Sequence, residues 1–348
     1  MKNYTTYRTA ESVSPRHPDK LCDQISDAIL DGYLEKDPNA RVAVETCGGH
    51  GIIYIVGEVT SSADDINVES IAREIAGDDM EIHINLVKQS PEIAGGVDLG
   101  GAGDQGIMIG YATDETTELM PREVILSRQL NQHIYQKFPF DGKTQVTLKI
   151  LEKGNFELDS IVASFQNSTD QELRELVEAF IHEHKLAGNP RLHLNPAGEW
   201  HQGGFEADTG LTGRKLAVDN YGPRIPIGGG AFSGKDPSKV DRSAAYMARR
   251  IAVDYLRARK AKEVFVRLAY AIGYAEPLER TVIVDGKDEQ IPLKSDSATT
   301  DNPNEIHGYD LTPRGIIDYL DLKRPIYQST ACYGHFGAGF DWDKYRIT

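Results

Sequence analysis

Apolar side chains recur at helical spacing in several stretches of the chain, and these stretches predict its helices. In the first of them, Leu21, Ile25 and Ile29 share one face. Pro18 suits the first helical position there, because a proline lacks the N–H that this position cannot use. Helices are predicted over residues 17–37, 64–76, 120–137, 169–186, 237–259 and 312–320.

Alternation of apolar and polar residues predicts strands, most of them paired in hairpins. Residues 41–60 form one predicted hairpin, which turns at Cys47–Gly51. Residues 144–167 form another, which turns near Lys153–Asn155. Further extended segments are predicted at residues 1–14, 107–112 and 263–285.

The predicted elements form a weak internal repeat. Strand pairs begin near residues 41, 144 and 263, and a helix follows each pair near residues 64, 169 and 312. This order predicts an α/β protein of the α+β type, in which three related units each cover a mixed or antiparallel sheet with helices. The units are more than a hundred residues apart, which excludes a solenoid of short repeats.

The first predicted helix carries a second periodic pattern, made of aspartates four residues apart: Asp19, Asp23, Asp27 and Asp31. The last three are interpreted as a helix face in contact with solvent. Asp19 differs, because it lies in the first turn beside His17 and Lys20. A carboxylate, an imidazole and an ammonium group together favour a metal–phosphate site.

A glycine-rich stretch, GGGAFSGKDPSKVD at residues 228–241, leads into the longest predicted helix. Asp236 and Pro237 are the predicted N-cap and first helical residue. Backbone N–H groups at a helix start, with Lys235 and Lys239 nearby, predict a phosphate site. A Walker P-loop is rejected, because Asp236 stands where magnesium needs a Ser or Thr hydroxyl. An ordinary glycine-rich turn stays the alternative.

Residues 91–110 are also rich in glycine, and Gly101–Gly106 match the pattern G-x-G-x-x-G. A dinucleotide-binding fold needs a strand before this pattern and a helix after it, whereas here a long loop precedes it and a strand follows. We therefore interpret the segment as a mobile lid over a site, with a disordered connection as the alternative.

Composition excludes several classes of protein. Among the 348 residues, 38 Lys and Arg stand against 53 Asp and Glu, a net charge of −15, which argues against a nucleic-acid binder and against binding to anionic membranes. Three cysteines without C-x-x-C spacing argue against a disulfide framework or a zinc site. We find no signal peptide or membrane-spanning stretch and expect a cytoplasmic protein.

Charged residues concentrate in the loops, which favours a site for a nucleotide with Mg²⁺. The candidate cations are His17, Lys20, Lys143, Arg214, Lys215, Lys235 and Lys239. The candidate carboxylates are Asp19, Glu45, Glu58, Asp141, Asp208 and Asp241. Glu45 and Glu58 lie within apolar strands, as residues that face water or as cation ligands, and Trp200 either stacks on a base or packs in a core.

Five motifs together resemble the methionine adenosyltransferases, also called S-adenosylmethionine synthetases. They are HPDK at residues 17–20, GAGDQG at 101–106, LTGRK at 211–215, GGGAFSGKDPSKVDRSAAY at 228–246 and YGHFG at 333–337. The resemblance spans nearly the whole chain. It implies three similar domains with pseudo-threefold symmetry, near residues 1–110, 111–200 and 201–348. It also implies a homodimer with active sites at the subunit interface, and in some members a homotetramer.

The resemblance also implies a reaction. The sulfur of L-methionine attacks C5′ of ATP, S-adenosylmethionine forms, and the tripolyphosphate is hydrolysed to pyrophosphate and phosphate. Two Mg²⁺ ions and a K⁺ ion are the implied cofactors. Because a thioether has no proton to lose, such a site needs placement and charge stabilisation rather than a general base.

Residue roles carry over from the same motifs. His17, Lys143, Arg214 and Lys235 are the implied catalytic residues. Asp141, Trp200, Asp208, Lys215 and Ala231 join these four around ATP. Glu58, Gln105, Asp208 and Lys239 are implied at methionine, Asp19 and Asp241 at Mg²⁺, and Glu45 at K⁺.

The chain departs from the family pattern at Pro15–Arg16, where an acidic residue and a glycine are usual, and at Glu199, where a basic residue is common. The loop before Gly101 is also shorter. Two other functions stay open here: a Mg²⁺-dependent kinase or NTPase with an atypical phosphate loop, and a non-catalytic nucleotide-binding subunit.

Overall fold

The computed structural model describes residues 6–88, 101–296, 306 and 308–345. Its strands are β1 (Thr6–Val13), β2 (Arg41–Gly49), β3 (Ile52–Thr60), β4 (Glu81–Val87), β5 (Gly106–Thr113), β6 (Gly142–Ile150), β7 (Phe156–Phe165), β8 (Gly188–Leu194), β9 (Gly210–Leu211), β10 (Glu263–Tyr270), β11 (Glu279–Val284) and β12 (Lys287–Gln290). Its α-helices are α1 (Pro18–Lys36), α2 (Val68–Ala76), α3 (Arg122–Tyr135), α4 (Asp170–Glu183), α5 (Leu216–Asp219), α6 (Val240–Arg259) and α7 (Pro313–Leu320).

The described strands form three four-stranded sheets, in the orders β1-β6-β7-β8, β4-β3-β2-β9 and β12-β11-β10-β5. Each sheet contains one antiparallel hairpin that follows a long helix: α1 leads into β2–β3, α3 into β6–β7 and α6 into β10–β11. The predicted fold class, a mixed sheet with helices repeated three times, is confirmed.

The strand that precedes each long helix pairs in another unit. β1 precedes α1 but pairs with β6, β5 precedes α3 but pairs with β10, and β9 precedes α6 but pairs with β2. The three units therefore exchange one strand each around a cycle, which gives the fold its threefold character. The division of the chain near residues 110 and 200 stays a prediction.

Two strands that the pattern did not predict complete the first two units. After the hairpin, α2 leads to β4, which runs parallel to β3, and α4 leads to β8, which runs parallel to β7. Both strands lie at sheet edges, and most of their residues are exposed or half-buried. Such strands lack the strong apolar alternation by which a strand is recognised.

Helix α6 lies at the centre of the larger hydrophobic core. Every residue from Val240 to Leu256 is buried, and the helix packs on β5 and β10. A second core joins α3 and α4 to the sheet that contains β6 and β7. No helix among the described residues is both long and apolar enough to cross a membrane.

The predicted start of the longest helix is wrong by three residues. The helix begins at Val240 with Lys239 at the N-cap, and Asp236 does not cap it. The Asp236 carboxylate instead accepts the N–H of Val42 at 2.7 Å, and the backbone N–H of Asp236 donates to the Val42 carbonyl at 3.0 Å. Because this segment attaches to β2, the chain must turn at Pro237 before the helix can begin.

Two smaller differences concern the first third of the chain. The helix predicted from residue 64 begins at Val68, where the Asn67 side chain caps it by accepting the N–H of Ser70. Residues 91–100 of the predicted lid lie outside the described residues. Gly106 begins β5, so a strand follows the G-x-G-x-x-G pattern, as expected.

Candidate active site

The start of α1 is joined to the loop that carries Arg214 and Lys215. His17 caps the helix, because its Nδ1 accepts the N–H of Asp19 at 3.2 Å. Asp19 then accepts the Leu211 N–H at 3.0 Å through one carboxylate oxygen, and the Lys215 ammonium through the other. The Arg214 guanidinium lies 3.5 Å from the same carboxylate. Four residues of the predicted site, His17, Asp19, Arg214 and Lys215, therefore meet at one helix end.

The electrostatics of this cluster follow from burial and from its cations. Burial, reinforced by Lys215 and Lys143, lowers the pKa of His17 to about 3, so the imidazole is neutral near pH 7. Burial alone would raise the pKa of Asp19, but hydrogen bonds from Lys215 and from the Leu211 N–H outweigh it and lower that pKa. A neutral imidazole therefore lies beside an ionised carboxylate and the cations that pair with it.

Lys143, Asp141 and Asp208 border the same cleft. Lys143 lies on β6 opposite Val13, with its side chain exposed. Lys143 and Asp208 both act electrostatically on His17: Lys143 lowers its pKa and Asp208 raises it. Asp141 is almost fully buried and accepts the Gly204 N–H at 3.0 Å, and burial raises its pKa.

A cavity of about 460 Å³ opens beside Asp141. Its walls combine apolar side chains, including Phe140 and Phe205, with polar groups such as Gln166. Trp200 lies at its edge, since a Cβ atom on the lining residue Gly203 would meet the indole ring at 2.9 Å. The indole Nε1 donates to the Ser164 hydroxyl at 3.1 Å, which fixes the ring. The cavity has the apolar walls and few polar groups of a small-molecule pocket.

The glycine-rich loop forms a second cationic cluster. The Lys235 ammonium lies 2.6 Å from the Asp241 carboxylate, which also accepts the Gly230 N–H at 3.1 Å. Lys239 pairs with Asp236 instead. Lys235 and Asp241, which the resemblance places at ATP and at Mg²⁺, are therefore ion-paired to each other.

The two clusters adjoin along β2. Leu211 pairs with Cys47 and Lys235 forms a bridge with Ala43. Cys47 and Ala43 are four residues apart on the strand, a separation of roughly 13 Å. The loops also touch each other, because a Cβ atom on Gly213 would lie 2.2 Å from the Cβ of Ala231.

Comparison with known proteins identifies the family. Residues 5–90 match the model described as S-adenosylmethionine synthetase, N-terminal domain, residues 99–200 match the central domain, and residues 202–344 match the C-terminal domain. A protein named S-adenosylmethionine synthase from Treponema denticola is 42% identical, over 99% of this chain and 97% of its own length. Proteins of that name from Helicobacter hepaticus and a Nitratiruptor species are 41% and 42% identical, each over 97% of this chain and 95% of its own length. The chain belongs to the S-adenosylmethionine synthetase family.

In this S-adenosylmethionine synthetase, the remaining predicted residues lie at the margin of the second cluster. Glu58 faces Ala43 across the β2–β3 hairpin, on the outer face of the sheet, and Glu45 lies on the same face and is exposed. Gln105 is exposed just before Gly106, where a Cβ atom would lie 3.6 Å from an Asp241 carboxylate oxygen. The three residues surround the cluster without a hydrogen bond to it among the described contacts.

The described residues contain no cluster of three or more histidine, cysteine or acidic side chains arranged to hold a metal ion. Asp19 and Asp241 are separate carboxylates, each paired with a lysine. Mg²⁺ is commonly held by one or two carboxylates together with substrate phosphates and water. Two single carboxylates beside the predicted phosphate site fit that mode of binding, and they do not fit an all-protein metal cage.

The prediction that Asp23, Asp27 and Asp31 form a solvated face is wrong. Asp23 and Asp27 are fully buried, and Asp31 is half-buried. Lys20, a candidate phosphate ligand, is also fully buried and pairs with Asp23 and Asp219. Loops from distant parts of the chain cover this face of α1, and no local pattern could reveal them.

Proposed function

We propose that this chain is a methionine adenosyltransferase that makes S-adenosylmethionine from ATP and L-methionine. The observation that carries the proposal is the pairing of Arg214 and Lys215 with Asp19, beside a buried, neutral His17 whose pKa is lowered by burial and by Lys215 and Lys143. This arrangement suits a highly charged leaving group, tripolyphosphate. Its later hydrolysis to pyrophosphate and phosphate belongs to the same proposal.

His17 acts as a hydrogen-bond donor to the triphosphate. Its Nδ1 accepts the Asp19 N–H, so the proton of the neutral ring lies on Nε2. Nε2–H is then free to donate to an oxygen whose negative charge grows as the C5′–O bond breaks. The attacking sulfur loses no proton, so the site needs no general base.

Cations of both clusters bind the triphosphate. Lys143, Arg214 and Lys215 bind its oxygens from the first cluster, and Lys235 binds from the second. Adenine occupies the cavity beside Asp141, with Trp200 at its edge, while Asp208 and Ala231 border the nucleotide. Glu58, Gln105, Asp208 and Lys239 bind methionine at the margin of the second cluster.

Asp19 and Asp241 would each supply one carboxylate ligand to one of two Mg²⁺ ions, and Glu45 would serve a K⁺ ion. These ions supply positive charge that neutralises phosphate oxygens. When ATP enters, Lys215 and Lys235 leave the two aspartates for the phosphates, which frees the carboxylates for the metal. The lysine–aspartate pairs support this exchange.

A homodimer with the sites at its interface completes the proposal, and we expect it in the cytoplasm. The outer face of the sheet that carries Glu58 exposes apolar side chains, with Tyr54 at 50%, Val56 at 45% and Val87 at 53%. A contiguous apolar patch of this kind marks an interface. Val56→Lys is expected to yield monomers in analytical ultracentrifugation and to lose activity, whereas Tyr319→Lys on α7 keeps both.

The test of function is methionine-dependent formation of S-adenosylmethionine from ATP with Mg²⁺ and K⁺. Phosphate release that does not depend on methionine would favour the kinase or NTPase alternative, and no turnover would favour a non-catalytic subunit.

His17→Asn is expected to reduce turnover by roughly 100-fold or more, as the loss of one oxyanion donor does elsewhere. Asparagine is a good N-cap, so the start of α1 is preserved. His193→Asn, an exposed change on β8, is the matched control. Turnover of His17→Asn within threefold of the control would contradict the role of His17.

A further inference from the structure

The buried aspartates of α1 hold the two cationic loops by their backbones. Asp23 accepts the Gly213 N–H at 2.8 Å, and Asp27 accepts the Gly234 N–H at 2.8 Å. Gly213 directly precedes Arg214 and Lys215, and Gly234 directly precedes Lys235. Each carboxylate therefore contacts a loop one residue before a cation of the proposed triphosphate site.

The backbone conformation and the close neighbours of Gly213 and Gly234 restrict both positions to glycine. Their φ angles are 77° and 81°, in the left-handed region that glycine adopts most readily. A Cβ atom on Gly234 would lie 1.8 Å from the Val44 carbonyl oxygen, and one on Gly213 would collide with Ala231. These contacts give each N–H a fixed direction toward its aspartate.

We propose that Asp23 and Asp27 are positioning residues that hold the Arg214–Lys215 loop and the Lys235 loop in place before ATP binds. The inference rests on the proposed function for the identity of the ligand. Residues four apart on a helix are separated by about 6 Å along its axis. Two successive aspartates on one face of the helix therefore each hold one loop.

A carboxylate at each of these two positions provides negative charge as well as a fixed geometry. An ionised acceptor binds a backbone N–H more strongly than a neutral one. Each buried carboxylate is balanced by a second cation, Asp23 by Lys20 at 3.0 Å and Asp27 by Arg242, whose two nitrogens lie at 2.7 and 2.9 Å.

The same helix offers a matched control. Asp31 follows Asp27 at the same spacing and accepts the backbone N–H groups of Tyr327 and Gln328. That segment carries none of the proposed phosphate ligands. If both residues had a merely structural role, substitution of Asp23 and of Asp31 would affect tripolyphosphate affinity equally. If Asp23 positions the loop, only its substitution lowers that affinity.

The experiment measures binding of inorganic tripolyphosphate by calorimetry to the wild-type chain, Asp23→Asn and Asp31→Asn. Asp23→Asn leaves Lys20 paired with Asp219, so its buried charge is not orphaned. We expect affinity to fall roughly 10- to 100-fold in Asp23→Asn, the loss associated with a charged hydrogen bond, and to stay within twofold in Asp31→Asn. Equal affinities in the two variants would overturn the inference.

A measurement on the wild-type chain covers the case in which Asp23→Asn does not fold. Hydrogen exchange should protect the Gly213 and Gly234 amides, without ligand, as strongly as the paired amides of β2. Exchange at the rate of an open loop would overturn the inference.

The assay of S-adenosylmethionine formation separates this inference from the proposed function. A wild-type chain that makes no product but binds tripolyphosphate more tightly than Asp23→Asn supports positioning and contradicts the function. A wild-type chain that makes product, with Asp23→Asn binding tripolyphosphate equally well, contradicts positioning alone.

Discussion

Two helices of this protein have similar patterns and opposite environments. Helices α1 and α4 both begin with a side-chain cap and place apolar residues on one face. In α4 only Leu173, Val177 and Phe180 are buried, and its charged residues stay near solvent. In α1 the aspartate face is buried as well. Whether a polar helix face is buried therefore depends on which other segments of the chain pack against it.

The partners of the two polar faces explain the difference. On α4 several are local, as in the Gln171–Glu175 hydrogen bond of 2.9 Å and the Arg174–Glu178 pair at 3.9 Å, although Glu172 also lies 3.3 Å from Lys137. On α1 they come from far along the chain, as with Arg242, which lies 215 residues after Asp27. Periodicity describes a helix, but it contains no information about such distant partners.

The sharpest way to test the comparison is to remove the centre of the buried face. Asp27→Ala would leave Arg242 as a buried charge without its carboxylate, so we expect a loss of about 3–5 kcal/mol in the free energy of unfolding. Glu175→Ala on α4 is the control, with an expected change within about 0.5 kcal/mol. Denaturant unfolding measures both.

A loss below about 1 kcal/mol for Asp27→Ala would contradict the claim that this face is buried and paired, since surface changes fall in that range.

Asp31 allows a second test of the difference between the two helices, because its protonation makes the stability of the fold depend on pH. Burial outweighs its hydrogen bonds from Gln328 and Tyr327 and raises its pKa from 3.8 to about 6. The folded state therefore binds this proton more tightly than the unfolded state does. Asp31 stabilises the fold most below pH 4, and this contribution is lost as pH rises through about 6.

The measurement compares the free energy of unfolding of wild type and Asp31→Asn between pH 4 and pH 7. The wild type should lose up to about 3 kcal/mol relative to the variant over this window. Glu178→Gln on α4 is the control, and its free energy of unfolding is expected to follow that of the wild type between pH 4 and pH 7. Parallel curves for wild type and Asp31→Asn would show that folding does not raise the pKa of Asp31.

The sequence was sufficient wherever a partner is local. The hairpins, the helices and the threefold repeat all follow from short-range pattern, and the structure confirms each except for the starts of two helices. The family, too, could be identified from its motifs. Within the proposed site, His17 and Asp19 were recognisable because they share one helical turn.

What the sequence could not supply depends on contacts between distant residues. Asp236 fits an N-cap by position, and one of its carboxylate oxygens does accept the Ser238 N–H at 2.8 Å. The other accepts the Val42 N–H of β2, and the helix begins only at Val240. Lys20 reads as a phosphate ligand beside His17, yet Asp219, 199 residues later, holds it in the interior. The roles of Glu45, Glu58 and Gln105 stay predictions, because no described hydrogen bond joins these residues to the two clusters.

A smaller effect is expected where α4 begins. Thr169 and Glu172 form a capping box, with the Thr169 hydroxyl oxygen accepting the Glu172 N–H at 3.2 Å and the Glu172 carboxylate accepting the Thr169 N–H at 3.1 Å. Thr169→Ala is expected to lower the free energy of unfolding by about 1 kcal/mol. Thr169→Ser keeps the hydroxyl and should restore most of the loss. No difference between Ala and Ser would show that the cap is not formed.

The smallest expected effect completes the comparison. Arg174 and Glu178 are 47% and 61% exposed, so water screens their attraction and the pair contributes less than about 0.5 kcal/mol. Arg174→Gln should leave the unfolding midpoint nearly unchanged at low and at high salt. A salt-dependent loss as large as that of Asp27→Ala would mean that α4 also carries a structural charge network, and burial would no longer separate the two helices.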